Sequence, residues 1–175
     1  GSSTGIGRAA VLKFQREGWN VIATMRSPQA ETELNQLDGV LVTRLDVTDV
    51  ASIEAALQQG YERFGVGIDV VVNNAARGCR GTFEQTTDEH VRKTFETNVF
   101  GVINVCHAVI GQMRRQTYGC IINVTSVTAI VATPLGSIYA ATKHAVHGLT
   151  TGLALEYLPL GVTVKSVIPG GYPTT

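Results

Sequence analysis

The chain has 175 residues, 44% of them hydrophobic, with 14 basic and 14 acidic side chains and a formal net charge of zero. Such a chain suits one domain that removes roughly 70% of its unfolded surface from water without needing disulfide or metal staples. The balanced charge, the lack of a Lys/Arg cluster and the lack of an apolar run near the roughly 20 residues of a membrane span argue against nucleic-acid and membrane partners. A small molecule is the expected partner. Cys79, Cys106 and Cys120 are odd in number and lack metal-ligand spacing, which suits free thiols in a reducing, cytoplasmic setting.

The opening GSSTGIGRAA reads as a glycine-rich loop feeding a helix. Gly1-Ser2-Ser3 alone could be the residue of a cleaved tag. The helical segment RAAVLKFQREG that follows, with Ala10, Val11 and Phe14 on one side, leads into an apolar run at 21–25, and this favours a phosphate-binding loop. The β-branched runs at 21–25, 40–45, 68–72, 120–124 and 162–168 predict short strands buried on both faces. Between them, Thr48-Asp49 starts a helix carrying Val50, Ile53, Leu57, Tyr61 and Phe64. A longer stripe runs through Val91, Phe95, Val99, Val102, Cys106, Val109 and Met113. A third helix is predicted from about Ser137 to Leu158, where Pro159-Leu160-Gly161 ends it. Strand and helix in alternation give parallel strands with right-handed crossovers, hence a three-layer α/β/α, doubly wound sheet of the Rossmann kind.

The glycine loop occurs together with DVT at 46–48, NNAA at 73–76, TNVFG at 97–101, VTS at 124–126, YAATK at 139–143 and PGGYPT at 169–174. In this order and spacing the set resembles the short-chain dehydrogenase/reductase family over the whole chain. Ala76 stands where the family motif has glycine. The resemblance places Gly1 where the family's chain leaves its first strand, so that 1–175 is expected to be a single dinucleotide-binding domain truncated at both ends. Strands 21–25 and 68–72 would then lack their shared neighbour.

Tyr139 and Lys143 are four apart on one helix face, and a cation near a phenol is expected to lower its pKa toward the working range of an acid/base. The spacing alone equally describes an amphipathic helix with a surface lysine. Ser126, at the C-terminal end of a strand where open α/β sheets bind ligands, favours the catalytic reading. By resemblance, Ser126 holds the substrate carbonyl or hydroxyl, Tyr139 moves the proton, and Lys143 tunes Tyr139 and binds the nicotinamide ribose. Asn98 is a poor helix former inside a helical stripe. The resemblance gives it a water-linked relay to Lys143.

Met25 stands where an NAD-preferring site places an acid, and Arg26 follows it. This predicts NADP, with NAD as the alternative. The resemblance further implies cofactor contacts at Gly1, Ser3, Gly5, Ile6 and Gly7, at Arg26, at Asp46 and Val47, at Asn73 and Ala75, at Tyr139 and Lys143, and at Pro169, Gly170 and Thr174. His144 and His147 have no third ligand in view, and no metal is expected. The expected function is hydride transfer between NADP(H) and an alcohol/carbonyl pair on a small molecule, in a homodimer or homotetramer. The rival is a non-catalytic dinucleotide sensor of the same fold, in which loss of the tyrosine or lysine would be expected.

Overall fold

The computed structural model describes residues 1–171, and their contacts fall into two compact units, Gly1–Gly67 and another beginning at Ile68. In the first, the loop opens into helix α1 (Gly5–Arg16), followed by strand β1 (Val21–Met25), strand β2 (Val40–Arg44) and helix α2 (Val50–Phe64). β1 and β2 pair in parallel from Val21 opposite Val40 to Met25 opposite Arg44. Val11 of α1 packs with Ala23, Met25 and Leu34 to form a core. α2 starts at Asp49, whose side chain accepts from the Ser52 N–H, and it ends at Gly65 with φ of 68°. The start of the loop lies beside β1, where the Gly1 and Ser2 nitrogens both donate to the Thr24 carbonyl.

The second unit holds β3 (Val70–Asn73), α3 (Asp88–Phe95), α4 (Gly101–Gln116), β4 (Gly119–Val124), α5 (Ser137–Tyr157) and β5 (Val162–Val167). Its three strands are parallel in the order β3-β4-β5, with Val70 opposite Cys120 and Gly119 opposite Val162. Val109 and Met113 of α4, Ile121 of β4, Val146 of α5 and Val162 of β5 are buried. Among the described residues β1 pairs only with β2, and β3 only with β4, so the strands at 21–25 and 68–72 share no neighbour.

Two elements differ from expectation. β3 begins at Val70 and not at 68, because the Ile68 N–H donates to the Gln112 side chain. The stripe from Val91 to Met113 is not one α-helix: a π-helical turn at Glu96–Phe100 separates α3 from α4. Its wider spacing turns Asn98 inward, where it is 2% exposed.

Candidate active site

Within the second unit, β4 delivers its C-terminal end to a short 3-10 turn, Val127–Ala129, which is capped by Ser126. The Ser126 hydroxyl oxygen accepts the Thr128 N–H at 3.1 Å, and the turn is tied to Pro169 by a Val127 N–H to Pro169 carbonyl bond of 3.0 Å. The capping geometry follows from an extended serine backbone placed ahead of three residues that curl. On α5, Tyr139 and Lys143 project from one face, with the Lys143 Nζ 5.6 Å from the centre of the Tyr139 ring. Lys143 is 4% exposed, and its ammonium donates to the Val124 carbonyl at 2.9 Å. Burial pulls that ammonium down to about 8 from an ordinary 10.5.

The Tyr139 phenol behaves otherwise than expected. Burial raises its pKa above the ordinary value, and a hydrogen bond with Ser126 only partly offsets this. Lys143, bonded to the Val124 carbonyl at the end of β4 and standing over the ring face, does not reverse this. At neutral pH Tyr139 therefore remains a protonated donor.

Asn98 is no solvated helix residue. Its Oδ1 accepts the Arg77 N–H at 2.7 Å, and its Nδ2 donates to the Arg77 carbonyl at 2.9 Å and to the Thr142 hydroxyl at 3.1 Å. Asn73, expected to line a cofactor cleft, turns its amide into the interior: Nδ2 donates to Asn123 Oδ1 at 2.9 Å and approaches Cys106 Sγ at 3.6 Å. Asn123 in turn donates to the Thr150 hydroxyl at 2.9 Å. This is a buried polar ladder across β3, β4 and α5, with every member partnered. Ala75 is half-buried in the loop after β3, and Gly170 is exposed beyond β5. Thr174 lies outside the described residues. Sequence spacing did not single out Thr142 or Asn123. A hydroxyl one residue ahead of Lys143 was the available signal for Thr142, and a polar residue inside an otherwise apolar strand was the signal for Asn123.

In the first unit, Gly5 holds φ of 57°, a left-handed value that favours glycine, and Gly7 is buried. Thr4 precedes α1, and its side chain makes no capping hydrogen bond at the helix start beside Ser3, Gly5 and Ile6. Met25 is in the core and Arg26 is exposed directly after β1. Asp46 folds on itself: its Oδ1 accepts the Thr48 N–H at 3.0 Å and the Thr48 hydroxyl at 2.8 Å. The Thr48 N–H above all, then its hydroxyl and the nearby charges of Arg26 and Arg44, hold this carboxyl below its usual range against the effect of burial. Val47 lies half-buried in the same turn. Among the described residues no cluster of His, Cys, Asp or Glu could hold a metal.

Parallel strands with intervening helices, a glycine loop at a helix start and a Ser-Tyr-Lys group at a strand end define a Rossmann-like dehydrogenase fold. The profile of the short chain dehydrogenase family matches residues 1–175, and the chain belongs to that family. It is 37% identical to the uncharacterized oxidoreductase YusZ of Bacillus subtilis, over all of this chain and 64% of that protein. The structure of ElxO with NADP bound superposes with a TM-score of 0.93 at 29% identity, covering 99% of this chain and 72% of that one. That of a gluconate 5-dehydrogenase from Burkholderia cenocepacia, in complex with NADP and tartrate, gives 0.90 at 28% identity, covering 99% and 69%. The chain spans a little under two thirds of the length of the curated relatives it matches.

Proposed function

We propose that this protein is an NADP(H)-dependent oxidoreductase that interconverts an alcohol and a carbonyl on a small organic substrate, with Tyr139 as general acid/base. The observation that carries the reading is the shared face of α5, where the buried ammonium of Lys143 stands 5.6 Å from the centre of the Tyr139 ring, with Ser126 near enough to lower the phenol's pKa against the effect of burial. Ser126 orients the carbonyl oxygen. Tyr139, protonated at neutral pH, gives its hydroxyl proton to that oxygen, a polarity that favours the reducing direction. Lys143, held by the Val124 carbonyl, steadies the phenolate that remains and would hold the nicotinamide ribose. The intact tyrosine and lysine favour an enzyme over a non-catalytic sensor.

The residues of the first unit fit a dinucleotide. The uncapped start of α1, with Gly5 in a left-handed conformation, suits a pyrophosphate. Exposed Arg26, with no acidic residue at Met25, suits a 2′-phosphate, which favours NADP over NAD. The NADP held by the ElxO and gluconate 5-dehydrogenase structures supports the same choice. When bound, the nicotinamide supplies or accepts the hydride. A homodimer or homotetramer in the cytoplasm completes the reading, and no helix among the described residues is long and apolar enough to cross a membrane.

The test is Tyr139→Phe, which keeps the ring and removes the proton. Turnover with NADPH should fall by at least about 100-fold, the lower bound of what positioned acid/base groups supply, while NADPH affinity stays within about threefold. Turnover close to that of the parent would overturn the assignment.

A further inference from the structure

Thr142 is fully buried on α5, one residue ahead of Lys143. Its hydroxyl donates to the Tyr139 carbonyl at 2.7 Å, an ordinary way for a helical threonine to satisfy itself. The same oxygen also accepts from Asn98 Nδ2 at 3.1 Å, which a helical threonine does not need. Asn98 closes at the same time on both polar groups of the Arg77 backbone, at 2.7 and 2.9 Å. It can do so because the π-helical turn aims it inward. One amide thus joins three places far apart in the chain: the loop after β3, the turn between α3 and α4, and the turn of α5 that carries Tyr139 and Lys143.

We propose that Thr142 is a positioning residue. Through Asn98, its hydroxyl fixes the Tyr139–Lys143 turn of α5 to the loop at Arg77, and so sets where the Tyr139 hydroxyl stands. This rests on the reading of Tyr139 as the proton donor. A valine at 142 has nearly the shape of threonine but leaves Asn98 Nδ2 without that acceptor, inside a region where an unmet donor is costly. Asn98 must then shift, and the Arg77 peptide loosens with it. Displacing a reacting group by as little as ~1 Å can cost about 100-fold in rate, and KM is kept when the interaction lost is one made only in the transition state.

The experiment compares Thr142→Val, Thr142→Ser and Tyr139→Phe in the same protein. It measures steady-state kinetics with NADPH and a carbonyl compound the protein reduces, together with hydrogen exchange of the Arg77 N–H. Thr142→Val should lower kcat by about 10- to 100-fold with KM within about twofold. It should also speed exchange at Arg77 by about tenfold or more, because that N–H loses its anchored acceptor. Thr142→Ser should restore both measurements. Unchanged exchange at Arg77 in the valine variant, or a serine variant as impaired as the valine one, overturns the proposal. Should valine prevent folding, Thr142→Ala removes the same oxygen with less bulk and is read by the same two measurements. Tyr139→Phe should abolish turnover and leave Arg77 exchange at the parent rate. If it keeps turnover, the proton-donor reading falls, while the exchange comparison at position 142 still decides the clamp.

Discussion

At the scale of single residues, charge and its environment control the chemistry. Lys143 is stripped of water on α5, with a carbonyl and the Tyr139 ring face as its described partners, so its folded-state value falls to about 8 from an ordinary 10.5. Between those two values the unfolded chain binds more protons than the folded one, so stability rises with pH across that window. Below about pH 8 the cost of the buried charge is fully present and constant. Lys143→Met should flatten this rise. Urea midpoints measured at pH 7.5 and 10 should climb more in the parent than in the variant, and parallel behaviour would show that burial does not depress the lysine. Arg26 makes a different kind of contribution, being an exposed cation at the end of a strand. If it pairs with a 2′-phosphate, Arg26→Ala removes a charge-assisted bond of roughly 1.5–3 kcal/mol and weakens NADPH by about 10- to 150-fold, leaving NADH nearly unchanged. Equal losses for both cofactors in titration calorimetry would refute the NADP preference.

At the scale of elements, the joint between α4 and β4 is held by two unusual backbones. Thr117, the cap of α4, is a β-branched residue with φ of 63°, where side chains clash with the backbone. Gly161, just before β5, has φ of 81°, and a Cβ there would lie 1.9 Å from the Thr117 carbonyl oxygen. Thr117→Gly should therefore raise stability by about 1 kcal/mol, by relieving the left-handed strain. Gly161→Ala should lower it by at least about 3 kcal/mol, because the obstacle is backbone and cannot swing away. Thermal melts of the two variants on opposite sides of the parent are the expected result. The same scale shows how far periodicity carries. The stripe from Val91 to Met113 has the right residues for one helix, and no count of apolar positions reveals the extra residue of the π-helical turn. That turn is held by the Arg77 backbone and Thr142, and Arg77 lies 21 residues from Asn98 in the chain.

At the scale of the whole chain, charge is balanced, with 14 basic and 14 acidic groups and an isoelectric point near 7.1. Among the described residues three pairs of these charges sit on exposed helix faces, such as Asp88 with Arg92 at 2.7 Å, each contributing little. Solubility at low salt should pass through a minimum close to neutral pH and rise on both sides. A precipitation curve that changes in one direction only across about pH 5 to 9 would contradict this. Each unit holds its own parallel sheet, and the core of the first, at Val11, Ala23, Met25 and Leu34, is drawn from its own residues.

What the amino-acid order determined by itself was whatever depends on near neighbours. The runs at 21–25 and 40–45 became strands, Ser137 opened the helix that carries Tyr139 and Lys143, and Gly5 took the left-handed backbone that starts α1. Periods of two and 3.6 and the conformational freedom of glycine operate within a turn or two, so they are legible without a fold. Tertiary structure alone decided where the polar side chains point. The side chain of Asn73, a residue proposed for a cofactor contact, is drawn by the pairing of β3 with β4 to Asn123, 50 residues away, to which it donates. The Tyr139 phenol was expected to be lowered by its lysine neighbour, yet burial raises it while Lys143 bonds to Val124, 19 residues before it. Desolvation and hydrogen-bond partnership are properties of what surrounds a group in space, and the packing of strands and helices distant in the chain creates those surroundings.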